Sequence, residues 1–179
     1  MKYTDLPFGD CQSGTDGEIL CFALDRARKE FAWKTGELTA EQLRRTHPPS
    51  TLTLAGLMKH LAGVEDGFTA AAEGRKPGPP WDAVDREAEP RWEWTTAVTD
   101  DPEELYALWY GTVSRTRATW AGLIQDGGLD VIVPWGDDSY QVSRRRILVD
   151  LLEENLIHLG HVDILTEAIT GRRGHGWPD

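Results

Sequence analysis

The chain has 179 residues, 40 % hydrophobic and 27 % charged, a balance that suits one soluble domain with a core of its own, 1–179. Nineteen Lys and Arg against 30 Asp and Glu leave a formal net charge of −11, which argues against a basic nucleic-acid footprint. Apolar runs stay short of membrane-spanning length and the opening MKYTDLPFGDCQSG has no apolar leader core, so a cytoplasmic protein without membrane contact is expected.

The first helix is predicted from Asp16 to Lys34, on the spacing of Ile19, Phe22, Ala23, Ala27 and Phe31, with Gly36 stopping it. A single turn follows at TAEQLRR, where Thr39 and Gln42 make a capping-box pattern. Pro48 and Pro49 break the chain before a second long helix, Thr53 to Glu73. Leu54, Leu57, Met58, Leu61, Val64 and Phe68 mark its apolar side, and Gly56 and Gly63 leave room for a close neighbour.

Residues 75–100 show no period. A connection this long in a compact domain points to function or mobility, but Trp81, Trp92 and Trp94 should pack it onto the body. Asp101 and Pro102 open a third helix, with Glu104 placed to close a capping box, and it runs to about Gln125. LDVIVPWGDDSYQVS alternates around a Gly-Asp turn, as a short hairpin does. Ser143 caps the last helix, which ends at Thr170–Gly171, and residues 171–179 read as a loose tail. Four amphipathic helices with two long connections define an all-α four-helix bundle.

Cys11 and Cys21 form no metal or disulfide motif, which fits a reducing compartment. Arg144–Arg146 reads as a solvated basic run. His47 beside two prolines and His175 in the tail are expected at the surface.

Glu154, His158 and His161 fall at i, i+4 and i+7 on the last helix, in a row continuous with Ile147, Leu151 and Leu165. On the second helix His60 lies between Leu57 and Val64, in the stripe that should face inward. An unpaired buried carboxylate or charged imidazole is expensive, and a divalent cation shared by the two helices removes that penalty. Imidazole with carboxylate suits zinc, nickel or iron, and three protein ligands leave a position open for water or substrate. The plainer reading is a wet helix edge, with Glu154 pairing to a histidine or to the arginines of Arg144–Arg146. Two Glu-x-x-His pairs on separate helices, the di-iron pattern, are not found, so one metal fits better than two.

TLAGLMKHLAGVEDGF (53–68), RRILVDLLEENLIHLGHVDILTEAITG (145–171) and the short LTAEQLRR (38–45) between the first two helices resemble the signature segments of the DinB-like superfamily. Within it the likeness is to the actinobacterial branch related to mycothiol-dependent enzymes. The resemblance implies a four-helix bundle, often a homodimer, with one metal held by a histidine of the second helix and two residues of the fourth. His60, Glu154 and His158 match those positions. His161 would be a ligand in place of Glu154 or a neighbour of the ligands, and Asp163 would orient a histidine. Asp150 stands one turn before Glu154, where many relatives carry a histidine. The implied activity is metal-dependent transfer of a low-molecular-weight thiol such as mycothiol to an electrophile, with zinc the first choice of metal. Trp81, Trp92 and Trp94 are candidate substrate-binding walls or, more plainly, core packing. The alternatives are a metal-dependent hydrolase, and a non-catalytic bundle that binds a small molecule or a partner.

Overall fold

The computed structural model describes residues 3–125, 127–136, 140–174 and 176. Side-chain caps set the helix starts. The Thr15 hydroxyl accepts from the Glu18 N–H, and the Glu18 carboxylate accepts from the Thr15 N–H, which opens α1 at Asp16–Thr35. The same reciprocal pair, Thr39 with Gln42, opens the short α2 at Ala40–Arg44. Thr53 caps α3, Leu54–Ala72. Between it and the next long helix the chain forms α4, Trp92–Ala97, which the sequence had not announced. Asp101 caps α5, Pro102–Leu123, by accepting from the backbone N–H groups of Glu103 and Glu104. Strands β1, Ile132–Trp135, and β2, Tyr140–Ser143, pair antiparallel with Val133 opposite Val142. The turn between them lies outside the described residues. Ser143 caps α6, Arg144–Thr170, and Gly171 ends it in the left-handed region at φ 77°.

The four long helices are α1, α3, α5 and α6. α1 packs on α6 and more lightly on α5, while α3 packs on both α5 and α6, so α1 and α3 face each other across the bundle. The fold is the expected all-α bundle with a small hairpin. No helix among the described residues is long and apolar enough to cross a membrane.

Two apolar clusters fill the bundle. One is built around Phe31, Leu57, Leu61 and Trp109, the other around Leu24, Trp120, Ile147 and Leu151. A buried polar centre takes one residue from each long helix. The Arg28 guanidinium donates to both oxygens of Glu65, Nε–Oε1 2.7 Å and Nη2–Oε2 2.5 Å. Glu65 also accepts from Thr116 Oγ1 at 2.9 Å and Asn155 Nδ2 at 3.4 Å. Burial works against a charged guanidinium, but Glu65 and then Asp25 more than offset it and hold Arg28 above its ordinary range. Glu65 is thereby committed, although it lies only five residues from His60.

The long connection does pack down. Trp81 is buried with its ring over Gly63, where an added Cβ would come within 3.2 Å of Trp81 Cζ3. Trp94 lies over Gly56, where a Cβ would meet Cε3 at 2.8 Å and Thr53 Oγ1 at 3.1 Å. Gly56 and Gly63 are therefore tryptophan seats. Gly56→Ala should lower stability by about 1–2 kcal/mol in chemical denaturation, because the overlap exceeds the gain in helix propensity. A stabilised variant would contradict the seat.

Lys59 fastens α4 from the other side. Its ammonium reaches Asp100 Oδ2 at 2.5 Å and Thr96 Oγ1 at 2.7 Å, and lies 4.1 Å from the Trp92 ring centroid.

The tail corrects an expectation. Arg172 donates to the Trp33 and Lys34 carbonyls, Lys34 Nζ donates to the Gly174 carbonyl at 2.5 Å, and the Gly176 N–H to Glu30 Oε2 at 3.0 Å. Arg172, Gly174 and Gly176 are tied to the end of α1 because that end offers unpaired carbonyls and charges. His175 lies outside the described residues, and His47 is exposed as expected.

Candidate metal centre

The i, i+4 spacing on α6 brings Glu154 Oε2 to 3.5 Å from His158 Nε2. The same oxygen lies 3.8 Å from His60 Nε2 on α3. The His60 and His158 rings meet edge to face, with centroids 4.7 Å apart. One donor atom from each of the three residues lies within 4.8 Å of the others. Bonds of about 2.0–2.2 Å in a tetrahedron hold donors roughly 3.3–3.6 Å apart. The two separations to Glu154, 3.5 and 3.8 Å, lie within and just beyond that range, and the donor set of two imidazoles and a carboxylate fits zinc, nickel or iron.

The location differs from the expected bundle interior. The side chains of His60, Glu154 and His158 are 19 %, 37 % and 14 % exposed. On α6 the fully inward positions belong to Leu151, Asn155 and Val162, since Asn155 is drawn to the Glu65 centre. Glu154 and His158 are thereby turned to the rim, where they meet His60.

Each histidine has a second neighbour. His60 Nδ1 lies 3.3 Å from Glu93 Oε1. A carboxylate can only accept, so Nδ1 carries the hydrogen, which leaves Nε2, on the Glu154 side, as the atom placed to bind an ion. Burial tends to raise the Glu93 carboxyl, but its backbone hydrogen bond, His60 and Arg86 hold it below the usual range. Arg86 Nη1 stands 3.4 Å from both Glu93 oxygens. The Trp94 ring stacks on His60 at 4.7 Å and 28°.

His161 Nδ1 lies 3.3 Å from His158 Nδ1. A lone pair on His158 Nε2 requires the hydrogen on Nδ1, which His161 then accepts. Burial, with His60 and His161 beside it, pushes the His158 imidazole down to about 4, so it is neutral at pH 7.

That shift has a stability consequence. The folded value lies below the ordinary value of about 6.5, so between the two the unfolded chain takes up a proton that the folded chain refuses. In metal-free protein this contribution is complete above pH 6.5 and is lost as pH falls toward 4. Urea midpoints at pH 7 and pH 4.5 should differ more for the wild type than for His158→Gln; equal differences would refute the neutral imidazole.

The structure distributes the other expected residues unevenly. Trp94 is at the centre, whereas Trp81 and Trp92 pack edge to face on each other at 5.9 Å and serve α3. Asp150 binds Arg146, Oδ1–Nε 2.5 Å, and Asp163 binds Lys34, Oδ1–Nζ 2.6 Å; both are engaged by cations of the surface and the α1 end instead of by histidine. Arg144 and Arg145 are likewise used internally, on the Ala72 carbonyl and on Asp16 with Asp130. Glu93 was missed. Its only signal was a lone acid between two tryptophans in RWEWTT.

A cleft of about 900 Å³ runs along α3 from His60 and Glu93 to Arg75 and Lys76, with Phe68 and Trp135 on its walls.

A four-helix bundle with a His/Glu/His cluster contributed by its second and fourth long helices defines the DinB-like class of protein. The family description of mycothiol-S-transferase matches residues 20–171, and the chain belongs to that family. A conserved protein from Enterococcus faecalis has a crystal structure similar to this one, with a TM-score of 0.68 at 16 % identity, covering 89 % of this chain and 100 % of its own; that likeness is one of fold. No curated protein matches the chain.

Proposed function

We propose that the protein is a metal-dependent thiol S-transferase that takes mycothiol or a similar low-molecular-weight thiol. His60, Glu154 and His158 hold a single divalent ion, zinc by preference. The observation that carries this reading is the convergence of their three donor atoms within 4.8 Å in a member of this family.

A divalent ion there would lower the pKa of a thiol brought to it, so that thiolate is present at neutral pH. The chain's own residues do the rest. Glu93 holds the His60 Nδ1 hydrogen and His161 accepts that of His158, which fixes both rings with Nε2 toward Glu154. The Trp94 ring shields one face of His60 from water. The cleft brings an electrophile up to His60. In the transfer the thiol gives its proton to solvent, its sulfur forms the S–C bond, and the leaving group departs with the electron pair of the bond it breaks.

Metal analysis of the purified protein, followed by turnover on an electrophile with and without mycothiol, tests this. One equivalent of metal and thiol-dependent product formation are expected. Thiol-independent release of product would make the site a hydrolase, and a metal-free, inert protein would leave a binding bundle.

A further inference from the structure

The chain carries a net charge of −11, yet the described polar lining of the cleft is Arg75, Lys76 and Arg86 with His60, against one carboxylate, Glu93. Glu93 is occupied by His60 and Arg86, which leaves the far end cationic. Arg75 shares its Nε with Glu73 at 2.7 Å and keeps further N–H donors. Lys76 has no ion pair among the described residues, and both side chains are exposed.

The wall between the two ends is apolar. It is the α3 face of Gly63, Val64, Gly67, Phe68 and Ala71, with Trp135 opposite. An added Cβ at Gly67 would meet nothing within 4 Å, so this side of the helix faces open space. Phe68 and Trp135 meet edge to face, centroids 5.1 Å apart. Along α3 the helix rise places Phe68 about 12 Å and Ala72 about 18 Å beyond His60.

We infer that the acceptor of the proposed transfer, on whose correctness this rests, is an elongated anion. Its anionic group sits on Arg75 and Lys76, and its apolar body lies along Gly63, Val64 and Gly67 and against the Phe68–Trp135 pair. Its electrophilic carbon reaches the His60 end. An acidic surface repels anions generally, so Lys76 and the remaining N–H donors of Arg75 at the far end of this cleft select for a ligand that brings negative charge into it. The sulfur forms a bond to that carbon as the bond to the leaving group breaks, and the thiol proton goes to solvent.

The probe is N-(4-chloro-3,5-dinitrobenzoyl)-6-aminohexanoate beside its terminal primary amide. In both, sulfur displaces chloride, which leaves with the C–Cl electron pair. Binding is measured separately by calorimetry with the unreactive analogues that lack chlorine, so a failure of catalysis does not hide the result. The acid is expected to bind, and to react, about tenfold better than the amide at low salt, because only it makes charge-assisted hydrogen bonds. The advantage should shrink at high ionic strength. It should be lost in Arg75→Gln/Lys76→Gln and kept in Lys76→Arg.

Preferential binding of the acid without any turnover would overturn the acid as acceptor together with the transferase reading, and would leave only an anion-binding cleft on Arg75 and Lys76. Equal binding of acid and amide, or binding of neither, would overturn it. A preference that survives Arg75→Gln/Lys76→Gln and vanishes on metal removal would place the carboxylate on the ion and also overturn it. So would displacement of the acid by saturating mycothiol, which would put it in the thiol's place.

Discussion

Glu65→Ala is expected to lower the unfolding free energy by about 3–5 kcal/mol, the range for removing one partner of a buried ion pair, and the melting temperature by about 10 °C for a chain of this size. The loss follows from what Glu65 leaves behind. The Arg28 side chain is 2 % exposed and Glu65 is 0 % exposed, so the buried guanidinium keeps its charge but loses two of its three carboxylate bonds, with only Asp25 Oδ1 left at 2.9 Å. The other members have fallback partners. Asp25 is held by Arg117, Oδ2–Nε 2.7 Å, Thr116 Oγ1 can donate to the Val113 carbonyl at 3.3 Å, and Asn155 Nδ2 donates to the Leu151 carbonyl at 2.9 Å. Arg28→Met/Glu65→Leu should therefore recover most of the loss, since both charges leave together and apolar volume replaces them. Calorimetric melting and urea denaturation of the three proteins decide it. A loss under about 1 kcal/mol in Glu65→Ala would mean that water already reaches the pair.

That centre also explains why the bundle was legible in the sequence while the exact aim of its fourth helix was not. Helical spacing, Thr39 with Gln42, Asp101 before Pro102 and Ser143 before the arginines located the long helices, because capping and apolar period are local properties. Gly56 and Gly63 were readable as places of close approach, though which tryptophan fills each depends on how the connection folds back. The row Glu154–His158–His161 was visible as a face. Whether that face is the inward one depends on Asn155, one position along, being claimed by Glu65 from another helix. A rotation of α6 by a fraction of a turn separates a buried polar row from a rim site, and only tertiary packing sets it.

Glu93 and the cleft cations were illegible for the same reason. The connection 75–100 has no period to read, and Arg75 and Lys76 are a single pair at its start, ten residues before Arg86. The one basic cluster that stood out, Arg144–Arg146, is spent on internal partners. The conspicuous arginine run was consumed by the fold, and the charge that lines the cleft came from a segment with no sequence signature.

Removing either imidazole donor should empty the centre. His60→Ala and His158→Ala each reduce the donor set from three to two, and thiol transfer is expected to fall to the uncatalysed rate with loss of stoichiometric metal. Neither change touches the Arg28–Glu65 pair, so melting of the metal-free variants should stay within about 1 kcal/mol of the metal-free wild type, as for partly exposed positions. Glu93→Ala is the more discriminating variant because it leaves all three donors in place. It releases the His60 Nδ1 hydrogen from its acceptor at 3.3 Å and frees the ring to present the other tautomer. Metal affinity should drop by about 10–100-fold, the usual effect of losing the partner that orients a ligand. His161→Ala should act alike through His158, whose Nδ1 it faces at 3.3 Å. Chelator competition with zinc reads the affinities directly. If Glu93→Ala binds zinc as tightly as the wild type while His60→Ala does not, Glu93 is only a salt-bridge partner of Arg86. If His60→Ala itself keeps full affinity, the ion is not held between α3 and α6 at all.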